Sequence, residues 1–488
     1  ICPLHFLNFA NQLWDKHRKN HLLNGNNCCV IINIVILSEK ISQKSRNKML
    51  IRFRVKNFLS FKDEIELSMV AGKVQQHPNH VIHHPGRQGV DLLRAALIYG
   101  ANASGKSNLI KAMGFARHMI VDGVRAKASI PRKHFKLDAA SIAEPSRFEF
   151  EIQYKGKIYV YGFILDSKRI YEEWLYEVRP TSEKTLFRRI TLDDETNQVE
   201  FGVKASKKEL DLLGLVALGT PPNRLFLRES IERNIKHFAD VYEWFDEILV
   251  IIYPDSFHSL SPIGTGNKNS FGDLLVKYLE QFSTGVCGYA LQPVSDPLKE
   301  IPKELLDKFE QSLNDGDGST VLNPSGQRYF IIKEAAQLKI YKLLLSHRGK
   351  SCSSDVLFEM NEESDGTLRL LDLIPILDAS KNQNLVVLID ELDRSLHPNL
   401  SYEFISTFLQ ADDQRQIIIT THEATLLDLD LVRRDEVWFV EKNSSGASSI
   451  YSLEEFSPRY DKDIRKGYML GRFGAIPLIT RTNSIIEE

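Results

Sequence analysis

Residues 95–113 read AALIYGANASGKSNLIKAM: an apolar run, Ala95 to Tyr99, breaks at Gly100, and a helical pattern begins at about Lys106. The glycines, Lys106 and Ser107 follow the spacing G-x-x-x-x-G-K-[ST], which average residue usage would produce by chance only about 0.02 times in a chain this long. Each position has a physical job. Gly100 and Gly105 permit backbone angles and close approach that a Cβ would block. Successive N–H groups and the helix N-terminus then face anionic oxygens. Lys106 can reach the outer phosphates of a nucleotide, and Ser107 can ligate Mg²⁺. Gly100, Asn102, Ser104, Gly105, Lys106, Ser107 and Asn108 are therefore the candidate ATP-binding residues of this turn.

Further along, NLVVLIDELD (384–393) is an apolar strand ending in two carboxylates, the Walker B pattern. Asp390 is placed to hold Mg²⁺ with Ser107, and Glu391 to polarise an attacking water as general base. QIIITTHEATLLD (416–428) is another buried strand, ending at Thr421 and His422. A histidine at a strand's C-terminal edge in the same sheet can contact a γ-phosphate. Lys106, Glu391 and His422 form the candidate catalytic set. EESDGTLRLLDLIPIL (362–377) starts a helix at Ser364-Asp365-Gly366-Thr367. Its free N–H groups, hydroxyl and small residue make an anion site, or simply a capped helix start.

The remaining sequence bounds the rest. The chain has 488 residues, 43% hydrophobic and 26% charged, with a net charge of −2, as in a globular protein of two or more folding units without an overall basic bias. Its 5 cysteines show neither metal-ligand spacing nor a disulfide framework, which leads us to expect a reducing cytoplasm. Residues 1–48 begin with Ile and carry an apolar run too short to span a bilayer, and we expect a leader or non-native extension there, with Met49 the natural start. From Leu50 the chain alternates, with Ile51, Phe53 and Val55 on one face and Arg52, Arg54 and Lys56 on the other, as in a half-buried strand. Residues 64–70 read as its hairpin partner, and 148–153 with 157–165 as a second hairpin. Residues 207–314 read as mostly helical, with runs at 225–252, 271–282 and 297–313 and a break near 254–269. Strands are expected to return at 328–334, 338–346 and 356–360, then at 385–390, 416–421 and 436–441, with helices at 366–377 and 399–409.

The order P-loop, Ser-x-Gly helix start, Walker B, strand-end histidine is that of ABC-type ATPases. The expected fold class is thus α/β, an ABC-type P-loop NTPase sheet domain split by a largely α-helical insert. The expected division is 49–169 for the first half of the ATPase domain, 170–327 for the insert or lid, and 328–488 for the second half.

FRVKNFLSFKDEIELSMVAG, LIYGANASGKSNLIKAM, ESDGTLRLL, LIDELDRSLHP, QIIITTHEATLLD and YMLGRFGAIP together resemble the bacterial ABC-type ATPases of the OLD/RecF/SMC-like class, of the RloA or AbiL type. The resemblance spans roughly 49–477 and implies ATP and Mg²⁺ as cofactors. It also implies a homodimer or higher oligomer joined through nucleotide sites, with Ser364 and Gly366 acting across it. It places Lys106, Ser107, Asp390, Glu391 and His422 at the ATP site. Residues 393–398 resemble a D-loop, with His397 where many ABC proteins have Asp, and Gln153 is the nearest candidate for a Q-loop glutamine. The type named is linked to abortive infection, which implies a Mg-dependent ATPase acting as a switch for an effector in anti-phage defence. The alternative is a RecF-like DNA-binding ATPase of repair or recombination, for which Arg52, Arg54, Lys56 and the lysines of 204–208 could touch phosphate. OLD nucleases add a Toprim domain, but only about 65 residues follow His422, so we expect the nuclease or toxin to be a separate partner. No membrane association is expected.

Overall fold

The computed structural model describes residues 48–84, 90–255, 270–312, 318–334, 337–349, 355–378, 384–456 and 463–476. Residues 1–47 of the expected leader lie outside them, as do most of the break at 254–269 and Pro477, whereas Lys48 opens the strand Lys48–Lys56.

The apolar run Ala95–Tyr99 is a strand, buried at every position, near the centre of a six-stranded sheet. The sheet order is Leu249–Ile252, Val386–Ile389, Gln416–Thr420, Ala95–Tyr99, Val437–Lys442, Ser448–Ser452. All neighbours run parallel except the last pair. Both faces of this sheet are covered, which explains its unbroken apolar runs. Ala96, Ile98, Leu388 and Ile418 face one core, while Leu97, Tyr99, Ile389 and Ile419 face another. The first core also holds the inner face of the helix Lys106–Val121, through Leu109, Met113, Ala116 and Ile120. A seven-stranded antiparallel sheet, built on Lys48–Lys56, Ser146–Tyr154 and Lys157–Leu165, supplies Phe53, Phe148 and Phe150 to that core. The second core is closed by the helices Asp365–Leu377 and Pro398–Gln410.

The α/β class holds, but the middle of the chain is richer in strand than its residue pattern led us to expect. Strands Ile170–Arg179, Ser182–Thr191 and Asn197–Phe201 extend the antiparallel sheet outward from Lys157–Leu165, so that sheet runs on past residue 169. The run 225–252, read as one helix, divides into helices Phe226–Glu232 and Ala239–Glu243, a π-turn Trp244–Ile248 and the strand Leu249–Ile252. That strand pairs parallel with Val386–Ile389 at the edge of the central sheet. The sequence LVII is β-branched at three of four positions, and a free sheet edge gives its backbone groups partners that a further helical turn would not. Strands Val286–Pro293 and Gly318–Leu322 join a third sheet with Tyr329–Glu334 and Gln337–His347. Lys207–Gly219 and Ser270–Gln281 match the helical reading, and the run 297–313 divides into the helices Pro297–Glu300 and Lys303–Ser312.

Candidate functional site

The turn after Ala95–Tyr99 is held open by left-handed backbone. Ala103 has φ 61° and Gly105 φ 117°. A Cβ on Gly105 would stand 2.6 Å from the hydroxyls of both Ser60 and Ser448, and one on Gly100 would stand 2.4 Å from the carbonyl of Val440. Glycine is required at both places by steric crowding, and at Gly105 by backbone angle as well. The same neighbours brace the turn. Ser448 donates through Oγ to the Ser104 carbonyl (2.5 Å), and the Asn108 side chain donates to Ser60 Oγ (2.8 Å). Ser104 is buried, Ser107 half-buried and Asn102 exposed at the tip.

Lys106 is 5% exposed, and its ammonium donates to the carbonyls of Gly100 (2.8 Å) and Ala101 (3.1 Å) and contacts Nδ1 of His422 (3.3 Å). Burial pulls its pKa down to about 8, against the upward pull of Asp393, Asp390 and Glu391. Its nearest partners are neutral carbonyls and an imidazole, so an anion brought to this turn would meet a desolvated cation. Partial burial, and then the charge of Lys106, push His422 below the ordinary histidine range. The ring is therefore neutral near pH 7, with Nδ1 accepting from the ammonium.

The two carboxylates follow one another at the end of the strand Val386–Ile389, two strands from Ala95–Tyr99. Asp390 is 2% exposed, and its Oδ1 accepts from the Thr420 hydroxyl (2.6 Å). Thr420 Oγ1 in turn accepts from the Glu391 N–H (2.8 Å). Glu391 itself is left-handed, φ 50°, an uncommon conformation for a non-glycine residue. The backbone N–H of His422 points at the carboxylate of Asp393 (3.3 Å to each oxygen). The parallel register aligns Ile389 with Ile419 and Thr420 with Ile98, so Asp390, His422 and Gly100 leave the sheet at the same carboxyl edge. In open α/β sheets that edge is where ligands bind. The donor set fits Mg²⁺ with a nucleotide: a buried carboxylate, a helix-start hydroxyl and a left-handed nest of N–H groups beside a cation.

Ser364 and Gly366 are at the start of a different helix. Ser364 is exposed and accepts from the Thr367 N–H (3.1 Å), so it is a helix cap in this chain. Gly366 packs on the loop after Glu391, where a Cβ would come 2.9 Å from the Ser395 carbonyl. His397 is exposed and caps the helix Pro398–Gln410 by accepting from the Asn399 N–H (3.2 Å). Gln153 is corrected by its position: it lies buried in the antiparallel sheet, paired with Met49 and Ile158, not in a loop. Its neighbours alternate like a strand, and that alternation outweighs the appeal of a lone glutamine. Arg52 and Arg54 form ion pairs with Glu151, Glu66 and Glu149 on the neighbouring strands, and Lys56 pairs with Glu144 just before the strand Ser146–Tyr154.

Thr420, Arg369 and Ser448 were not singled out from the sequence. Arg369 carried a signal, a lone cation in the apolar run Leu368 to Leu371. Thr420 and Ser448 carried none, because their importance depends on strands brought together by the fold. Replacing Thr420 by Val should cost about 1–3 kcal/mol of unfolding free energy, since it strands the buried Asp390 carboxylate and the Glu391 N–H together. Urea titration measures this, and an unchanged midpoint would mean that neither group depends on the hydroxyl.

Residues 95–428 match the family model described as "AAA domain, putative AbiEii toxin, Type IV TA system". Among curated proteins, no match is found. Solved structures similar to the chain include the SmcHead bound to the C-winged helix domain of ScpA, at 14% identity over 84% of this chain and 99% of that one, with a TM-score of 0.35. The SMC head domain from Thermotoga maritima matches at 14% identity over 83% and 98%, with a TM-score of 0.30. A Smc head domain with an extended coiled coil, bound to the C-terminal domain of ScpA derived from Pyrococcus furiosus, matches at 12% over 84% and 98%, with a TM-score of 0.35. Among the described residues, no helix is long and apolar enough to cross a membrane.

Proposed function

The chain belongs to this AAA-domain family, and on that premise we propose that it is a Mg-dependent ATPase that assembles around ATP and switches a separate effector in anti-phage defence. The observation that carries the ATPase reading is the shared carboxyl edge, where Lys106, Asp390, Glu391 and His422 converge from widely separated parts of the chain. The turn 100–105 binds the phosphates through its N–H groups, and Lys106 turns from its own loop carbonyls to them. Ser107 and Asp390 hold Mg²⁺, which when bound neutralises charge on the transferring phosphoryl group. Glu391 accepts a proton from the attacking water, and neutral His422 donates from its ring toward the γ-phosphate.

The exposed, capped start of the helix at Ser364 is available to a second copy, and it completes that copy's site. Hydrolysis removes the charge this helix start holds, and the pair loosens. Nucleotide state, not chemistry on a second substrate, is then the output. The anti-phage role and the effector rest on the family's description and on the resemblance of the motifs.

Light scattering of the Glu391→Gln protein with and without ATP tests the assembly. The mass should double with ATP, and adding Ser364→Arg should abolish the doubling while nucleotide binding to the P-loop persists. Equal assembly by the double variant would leave Ser364 as a helix cap and nothing more.

A further inference from the structure

We propose that Arg369 is a positioning residue for Glu391, tying the start of the helix Asp365–Leu377 to the backbone of the same chain's acid strand end. The inference rests on the reading of Glu391 as the base and of this helix start as a partner's anion site. Arg369 is 6% exposed. It lies one turn into the helix, and among the described residues its guanidinium pairs with no carboxylate at hydrogen-bond distance. It donates instead to the main-chain carbonyls of Asp390 (3.1 Å) and Glu391 (3.2 Å), with a longer bond to that of Tyr253 (3.4 Å). Those carbonyls stand at the ends of two adjacent parallel strands.

The consequence falls on Glu391. Its left-handed backbone carries a cost of about 1–2 kcal/mol and persists only where the surroundings hold it. Here its N–H is held by Thr420 and its carbonyl by Arg369. One turn earlier on the same helix, Gly366 lies against the carbonyl of Ser395, in the loop that follows Glu391. The helix start and the acid loop therefore touch at two points, one polar and one a close steric fit. An anion that draws the helix start toward a second copy would pull on both, so the base in one site senses whether the other site is filled. A lysine cannot replace this device, because its single ammonium lacks the planar fork that spans several carbonyls.

The test compares wild type, Arg369→Lys and Arg369→Gln by single-turnover hydrolysis and by equilibrium binding of ATP, each also in the Glu391→Gln background. We expect turnover to fall about 10–100-fold in both variants, as for partners that orient a functional group elsewhere, with ATP affinity within about twofold of wild type. In the Glu391→Gln background either change should cost nothing further, because both act through one group. Should the two losses multiply, Arg369 acts independently of Glu391 and the inference is overturned. A weakened affinity with a lowered melting temperature in both variants would make Arg369 structural and also overturn it. Active wild type with fully active variants sinks the positioning role alone, whereas inactive wild type sinks the ATPase reading and this inference with it.

Discussion

Changing Glu391 to Gln is expected to leave ATP bound and to slow its hydrolysis by about 10²–10⁴-fold, the usual contribution of a positioned general base. The amide keeps the size and backbone of the carboxylate, so the hydrogen bond that this residue's N–H donates to Thr420 and the one its carbonyl accepts from Arg369 should survive. What is lost is the capacity to accept a proton from water. Asp390 cannot substitute, because it is buried and its Oδ1 is already engaged by the Thr420 hydroxyl. Binding is read by a fluorescent nucleotide and turnover by phosphate release in single-turnover conditions. Wild-type turnover would remove Glu391 from the base role, whereas loss of binding would show that the substitution disturbed the loop rather than the chemistry.

Removing the ammonium in Lys106→Ala should act on binding, weakening ATP affinity about 10–150-fold, the range spanned by the loss of charge-assisted hydrogen bonds worth about 1.5–3 kcal/mol. The pH dependence identifies the group. In the ligand-free protein burial brings the Lys106 pKa down to about 8, whereas bound phosphate raises it again. Below pH 8 the residue is charged with or without ligand, and affinity should be flat from this source. Above pH 8 the free protein loses a proton that binding must restore, so affinity should fall as pH rises, approaching tenfold per unit. Lys106→Ala should abolish that slope. A wild-type affinity unchanged between pH 7.5 and pH 9.5 would contradict the assignment, since no other described group at the turn is placed to titrate there.

The P-loop strand, its helix and the two acid- and histidine-ended strands were legible in the sequence because each is local. Ala95 to Tyr99 is apolar throughout and breaks on a glycine, and the helix that follows begins at the lysine the motif demands. The helix Asp365–Leu377 announced itself by its cap, and the structure has Ser364 in that position. These features depend on backbone propensity and on burial of both sheet faces, which neighbouring residues encode.

Other features were decided by the tertiary structure alone. The run ending in LVII is helical in pattern until the edge of the central sheet offers its backbone parallel partners along Val386–Ile389. The pairs Thr420 with Asp390, Ser448 with Ser104, and Arg369 with the Glu391 carbonyl join residues far apart in the chain. Their partners are mostly main-chain atoms, which carry no residue identity for a pattern to reveal. The sequence by itself therefore determined which groups could meet a phosphate. Only the folded sheet decided how they are held, because register across parallel strands, not spacing along the chain, brings Gly100, Asp390 and His422 to one edge.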